Sequence, residues 1–425
     1  MPNSYYKQAC VLSSLKRAWQ KVYENGIKSK SEQTQREVRA FANQVDRNLD
    51  RIYRKLLQNK WEFEPAFGVL KSRPGKKPRP IVVSPIGNRI IQRSILDVLQ
   101  RVPAIKSYYD IESSFGGIEG KSVRNAIEKV HSSIKNGDNY YVRSDIKNFF
   151  SYIQKDKVLS IISSNIPDQD FNILIQNAIK VELSNLEKLK ESAKEFPLFE
   201  VGVAQGCCLS PLMGNILLHD FDIEMNGRGI TCIRYIDDVI MLSNNLSHLQ
   251  QAFKSAKRLL NNLGLEMYDP DINSDKAEKG HVKDGFNFLG CKYTPGLLSP
   301  NSESRKRLLM HIDTVLRDSV TMMREPKELY FGKKSIIHTL VEVDNILRGW
   351  GNQYSFCNNK HVLQSLDSEI DKKIQNYLGH YTKIKALLKD DIEKNRKRLL
   401  GIHIVEESKF DPIIKTDQDK QKNAT

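Results

Sequence analysis

The run CIRYIDDVIML sets two carboxylates, Asp237 and Asp238, between short stretches of β-branched and apolar residues. This pattern suits two strands joined by a two-residue tip, and it predicts both acids at that tip. Standing alone, an Asp-Asp pair reads more readily as a solvated turn. Upstream, YYVRSDIKNFFSYI reads as a buried strand with one acid, Asp145, followed by the aromatics Phe149 and Phe150. A buried carboxylate needs a metal ion or a basic partner, and Arg143 is the nearest candidate for an ion pair. If that strand lies beside the Asp-Asp hairpin, three carboxylates share one sheet edge. They would resist ionising together unless a divalent cation neutralised them.

The metal chemistry open to such a cluster is narrow. Nine histidines include no HExxH spacing and six cysteines include no CxxC pair, so zinc is not indicated. Carboxylates with water and substrate oxygens suit magnesium. Two magnesium ions about 3.5–4 Å apart fit in-line phosphoryl transfer, one at a 3′-hydroxyl and one at the triphosphate.

The elements that must position these acids form an α+β pattern. LKRAWQKVYENG and REVRAFANQVDRNLDRIYRKLLQ predict two amphipathic helices between Leu12 and about Leu57. FEPAFGVLKSRPGKKPRPIVVSPI predicts a strand pair with a basic tip, and NRIIQRSILDVLQRV predicts the helix after it. Strands are expected at YYVRSDI, TCIRYI, VIMLS and FNFLGCKY, with helices at LSPLMGNILLHDFDIEM and LQQAFKSAKRLLNNLG. After Pro300 the spacing is helical. The expected division is residues 1–138, 139–300, 301–400, and a tail over 401–425 whose end, TDQDKQKNAT, is too polar to order.

A chain of 425 residues allows two or three compact units, and its net charge of +15 favours polyanionic partners. No apolar run approaches the roughly 20 residues that span a bilayer, and the first residues lack a secretory apolar core. A cytoplasmic location without membrane contact is expected.

SDIKNFF, AQGCCLSPLMGNILL, RYIDD and FNFLG stand in the order found in reverse transcriptases, and the chain resembles that family. KPRPIVVSPIGNRIIQRSILDVL and SSFGGIEGKSVRNAI resemble the fingers of bacterial, group II-intron-type enzymes, and ILRGWGNQYSF resembles their thumb. The resemblance implies a right-hand polymerase: fingers over 1–138, a palm with an antiparallel sheet over 139–300, and an all-α thumb over 301–400. It implies an RNA-directed DNA polymerase with magnesium as cofactor, dNTPs as substrates, and an RNA template and DNA primer or product as partners.

By the same resemblance, Asp145, Asp237 and Asp238 are catalytic, and Asp145, Ile146, Asp237 and Asp238 are metal positions. Phe150 occupies the place where an aromatic ring blocks a ribose 2′-hydroxyl. Gln205 and Gly206 belong to the loop along the incoming nucleotide. Arg79, with Lys71 or Lys77, resembles the group that grips the triphosphate. Lys276 matches a candidate general acid for departing pyrophosphate, and Phe288, Leu289 and Gly290 resemble the primer grip. Trp350 and Tyr354, four apart with Arg348 nearby, read either as core or as a minor-groove contact.

Ala204 stands where many relatives have proline, and Ile236 where alanine or valine is common. No endonuclease signature follows the thumb, so a stand-alone enzyme similar to the defence-associated group is expected, copying a dedicated non-coding RNA. Retron-type and diversity-generating enzymes are the alternatives, as is a maturase-like RNA-binding or splicing cofactor with a relic site. Oligomeric state, priming mode and template identity are not legible.

Overall fold

Between Leu12 and Leu57 the apolar spacing produces three helices where two were expected: Leu12–Ile27, Glu32–Ala42 and Val45–Leu57. The second run breaks at Gln44, which leaves helical geometry at φ −135°. Asn48 bridges the break, donating from Nδ2 to the Phe41 carbonyl at 3.1 Å. The computed structural model describes residues 4–29, 31–73 and 76–408, with the side chains at 73 and 76 excepted. Contacts within it divide the chain into two units, Met1–Leu289 and Gly290–Thr425.

In the first unit the N-terminal helices pack on the helix Ile86–Leu99 around Leu15, Leu49, Ile52, Ile90 and Ile95. Strands β1 (Phe67–Arg73) and β2 (Lys76–Val83) form the expected antiparallel pair, with Lys71 opposite Arg79. A four-stranded sheet contains β3 (Tyr140–Asp145), β4 (Thr231–Tyr235), β5 (Asp238–Ser243) and β6 (Ala277–His281). Its order is β4-β5-β3-β6, and every pairing is antiparallel. β3, β4 and β5 fall on expected segments. β6, AEKGH, carries charge and a glycine and was not expected; it is an edge strand, where burial does not impose an apolar pattern.

The stretch from Leu209 to Met225 forms two helices, Ser210–Leu217 and His219–Asn226, instead of one. Pro211 sits in the first turn of the former, where a missing N–H costs no hydrogen bond. These helices, with Leu246–Asn262, cover the sheet through Leu212, Phe221, Leu249 and Leu260.

The second unit opens with a hairpin, β8 (Cys291–Thr294) and β9 (Leu297–Pro300), preceded in the first unit by β7 (Phe286–Phe288). Helices Ser302–Met322, Ile336–Gln353, Lys360–Ala386 and Ile392–Leu400 enclose Ile312, Val315, Leu329, Val343 and Tyr377. The compact unit begins at Gly290, ahead of the boundary placed near residue 301. The Asn358 and Asn359 amides donate to the Leu298 carbonyl at 3.0 and 3.1 Å, tying the hairpin to the helical part. TDQDKQKNAT lies outside the described residues. Among the described residues no helix is long and apolar enough to cross a membrane.

Candidate active site

Tyr235 pairs with Asp238, so the two-residue tip of the β4–β5 hairpin is Ile236–Asp237. This corrects the expectation that both acids occupy the tip: Asp238 is the first residue of β5. There it faces Asp145, the last residue of β3. The Ile146 amide donates to the Asp237 carbonyl at 2.9 Å, joining the hairpin tip to the end of β3. Ile236 adopts φ +60°, left-handed geometry that is sterically unfavourable for a β-branched residue.

Gathering the acids at one sheet edge shifts their titration. Burial pushes the Asp238 carboxyl up to about 9, reinforced by its hydrogen bond with Asp145 and by the charges of Asp145 and Asp237. Burial also raises Asp237, and repulsion from Asp145 adds to it, while Arg79 and Lys276 act in the opposite direction. Lys276 Nζ lies 3.1 Å from Asp145 Oδ2. Burial disfavours its charge, but Asp145 outweighs that effect and raises its pKa. Arg143 does not pair with Asp145 but binds Glu278 on β6 at 2.8 Å; the basic partner of Asp145 is Lys276.

Among the described residues no group of three or more histidine, cysteine, aspartate or glutamate side chains is arranged to hold a metal ion by itself. Two touching carboxylates with a third in charge contact instead fit a cation that keeps water and substrate oxygens in its shell, as magnesium does. The donors are all hard oxygens. The raised proton affinity of Asp237 and Asp238 comes first from burial and then from the neighbouring acids.

The residues expected around the nucleotide sit on elements of the same unit. Lys71, Lys77 and Arg79 are exposed on β1 and β2, and the charge of Arg79 is felt at Asp237. The Val82 amide of β2 donates to the Gln205 carbonyl at 2.8 Å. Gly206 has φ +117°, and a Cβ there would lie 2.7 Å from the Val82 carbonyl oxygen, so only glycine lets the loop press against β2. Phe150 follows Asn148, whose φ of +45° turns the chain from β3 into the helix Phe149–Tyr152. The Val203 amide donates to the Phe150 carbonyl at 2.7 Å, linking the ring's backbone to the Gln205–Gly206 loop.

Phe288 is buried, and Leu289 and Gly290 both have positive φ, +48° and +80°, producing the expected turn. The Gly290 carbonyl accepts from the Asn301 amide at 2.9 Å and from Ser304 Oγ at 3.1 Å. Tyr354 is buried and donates to Ser304 Oγ at 3.0 Å, which gives it the core role; Arg348 pairs with Asp344 at 2.7 Å.

One part of the site went unread in the sequence. Arg234, the next-to-last residue of β4, is buried and bonded to Asp222, Asn215 and Ser114. An arginine inside CIRYI was a signal, because a buried guanidinium must find partners.

The reverse transcriptase (RNA-dependent DNA polymerase) profile matches residues 70–293, more than half of the chain. The chain belongs to the reverse transcriptase family. The matched span contains every site residue expected from the family resemblance between Lys71 and Gly290. An uncharacterized 91 kDa protein in a cob intron of Schizosaccharomyces pombe is 29% identical over 174 residues, 41% of this chain and 20% of that protein. The group II intron-encoded protein LtrA of Lactococcus lactis subsp. cremoris is 27% identical over 150 residues, 35% of this chain and 23% of LtrA. The chain therefore spans about a fifth to a quarter of the length of these two relatives. A solved partial Cas6-RT-Cas1–Cas2 complex is similar at 18% identity and TM-score 0.34, covering 61% of this chain and 43% of that one.

Proposed function

We propose that this member of the family is an RNA-directed DNA polymerase that extends a primer 3′ end with dNTPs. The observation carrying the reading is the pairing of Asp145 with Asp238 across adjacent strands, with Asp237 in the turn beside them. Magnesium held by these acids would supply charge neutralisation at the triphosphate and Lewis acidity at the attacking hydroxyl. Arg79, with Lys71, supplies positive charge for the triphosphate. Gln205 and Gly206 line the base and sugar, and the Phe150 ring excludes a 2′-hydroxyl. Lys276, with its proton held at Nζ, is placed to protonate departing pyrophosphate. Phe288, Leu289 and Gly290 form the primer-side turn.

A maturase-like binding role with a relic site is disfavoured, because acids crowded at one half-buried edge raise one another's proton affinity and cost stability unless a cation is bound there. The finer reading is that a cytoplasmic, dedicated non-coding RNA serves as template and that the DNA product acts in antiphage defence. It rests on the sequence resemblance to defence-associated enzymes.

The test is labelled dNTP against NTP incorporation on a primed RNA template with magnesium, comparing wild type with an Asp237→Ala, Asp238→Ala double variant. Incorporation of dNTPs that the variant abolishes supports the polymerase. Equal RNA binding with no incorporation by the wild type would return the weight to the binding role. Sequencing copurified nucleic acid, with phage plating on cells carrying either version, checks the template and the defence role.

A further inference from the structure

β4 carries a charged side chain where its neighbours are apolar. Arg234 and its carboxylate partner Asp222 are each 1% exposed. Arg234 Nε lies 2.9 and 3.0 Å from the two Asp222 oxygens, and Nη2 lies 2.5 Å from Oδ2. Nη1 donates to Asn215 Oδ1 at 2.8 Å, and Nη2 donates to Ser114 Oγ at 2.9 Å. The remaining contact reaches the catalytic turn: Nη1 donates to the Ile236 carbonyl at 3.1 Å.

That carbonyl belongs to the peptide joining Ile236 to Asp237. Ile236 occupies left-handed geometry that an isoleucine leaves readily unless surrounding contacts enforce it. Two features enforce it here. The guanidinium fixes the carbonyl direction, and its own orientation is fixed by three partners, Asp222, Asn215 and Ser114, on three other segments. In addition, the Ser113–Gly116 segment lies along the turn. The Arg234 amide donates to the Ser113 carbonyl at 2.9 Å, and the Phe115 amide donates to the Arg234 carbonyl at 3.0 Å. A Cβ on Gly116 would lie 2.6 Å from the Ile236 nitrogen, so the backbones approach as closely as glycine permits.

We infer that Arg234 is a positioning residue, which sets the Asp237 carboxylate by clamping the Ile236–Asp237 peptide in its left-handed turn. The inference rests on the polymerase reading for its rate consequence but not for its metal-binding consequence. Arg234 touches no reacting atom. The plainer account is a buried ion pair that only stabilises the fold, and the two differ in what a hydrophobic replacement does. A buried pair exchanged for apolar side chains of similar volume often keeps or gains stability. A positioning clamp is lost in that exchange even when the fold persists.

The experiment compares wild type, Arg234→Met/Asp222→Leu, and the same double variant carrying Ile236→Asn, since asparagine accepts left-handed geometry more readily. Folding is followed by melting temperature in EDTA, metal binding by titration with manganese as the probe, and rate by primed dNTP incorporation. The expected result is a melting temperature within a few degrees of wild type, manganese affinity weakened about tenfold, and kcat reduced by a larger factor than KM changes. Ile236→Asn should restore part of both losses. A folded double variant that binds manganese as tightly as wild type overturns the inference, whatever the polymerase assay gives. If the double variant does not fold, Arg234→Lys takes its place: it keeps the charge opposite Asp222 but loses the forked donors, and unchanged manganese affinity there overturns the inference equally. Wild type that binds manganese but incorporates no dNTP counts against the polymerase reading, and the manganese comparison still decides the role of Arg234.

Discussion

Asp145 and Asp238 stand directly opposite each other at the ends of antiparallel neighbours, β3 and β5, so the register of that pairing brings together two acids far apart in sequence. The juxtaposition is electrostatically costly without a cation, and the first consequence is a pH dependence. An unfolded aspartate ionises near 3.9, whereas folded Asp238 holds its proton up to about 9. The stability this group contributes is complete below about pH 4 and falls as pH rises through that window, because the folded state binds the extra proton. In EDTA the melting temperature should decline from pH 6 to pH 9 more steeply in wild type than in Asp238→Asn. Magnesium should raise it most at the alkaline end, and only in wild type.

Asp238→Asn keeps the shape of the side chain but cannot ionise, so folding no longer has to take up a proton at this position. It should raise metal-free stability at pH 8 while reducing dNTP incorporation by at least about a hundredfold, the scale on which loss of a catalytic electrostatic group is felt. Thermal unfolding and primed extension on the same preparation check both signs. Simultaneous loss of stability and activity would argue against the repulsion account.

Lys276 pairs with Asp145 at 3.1 Å, so two roles overlap in one side chain. Arginine keeps the ion pair but is a far poorer proton donor. Lys276→Arg should leave the melting temperature near wild type and lower the rate of nucleotide addition, by about ten- to a hundredfold if proton donation to pyrophosphate is its task. Lys276→Met should lower the rate similarly and alter the metal-free melting temperature as well. Pre-steady-state addition kinetics measure the rate.

Gly206 permits a contact that no other residue allows. Gly206→Ala introduces a Cβ 2.7 Å from the Val82 oxygen at a φ of +117°, and should cost about 1–3 kcal/mol of stability by denaturant unfolding. Because the Gln205–Gly206 loop is bonded to β2, the apparent KM for dNTP should rise by a larger factor than kcat falls.

Phe150 is tied by its own carbonyl to Val203, so replacing the ring leaves that backbone anchor intact. Phe150→Val should retain dNTP incorporation and increase the use of NTPs, measured as the ratio of kcat/KM values for a dNTP and the matching NTP. An unchanged ratio would remove Phe150 from the sugar-recognition role.

The chemistry of the site was legible in the sequence because it depends on residue types in short local patterns. An apolar run interrupted by acids identifies a strand end or a turn whatever surrounds it, and β3, β4 and β5 fall on the segments so identified. The sequence also determined the basic strand pair, since β1 and β2 are close neighbours along the chain and their pairing is local. Which acid occupies the tip was decided by the hydrogen-bond register, because β5 is buried at every position after Asp238 and its continuous apolar run carries no alternation that would fix that register. β6 was missed because an edge strand is held by one neighbour's backbone and leaves no mark in side-chain type. Arg234 shows the limit most directly. Its partners Asp222, Asn215 and Ser114 lie on other segments, and only packing of those segments around β4 makes a buried guanidinium tolerable and aims its last donor at Ile236. Local patterns specify which groups are available; long-range pairing and burial decide which of them meet, because those terms depend on contacts that sequence neighbours do not make.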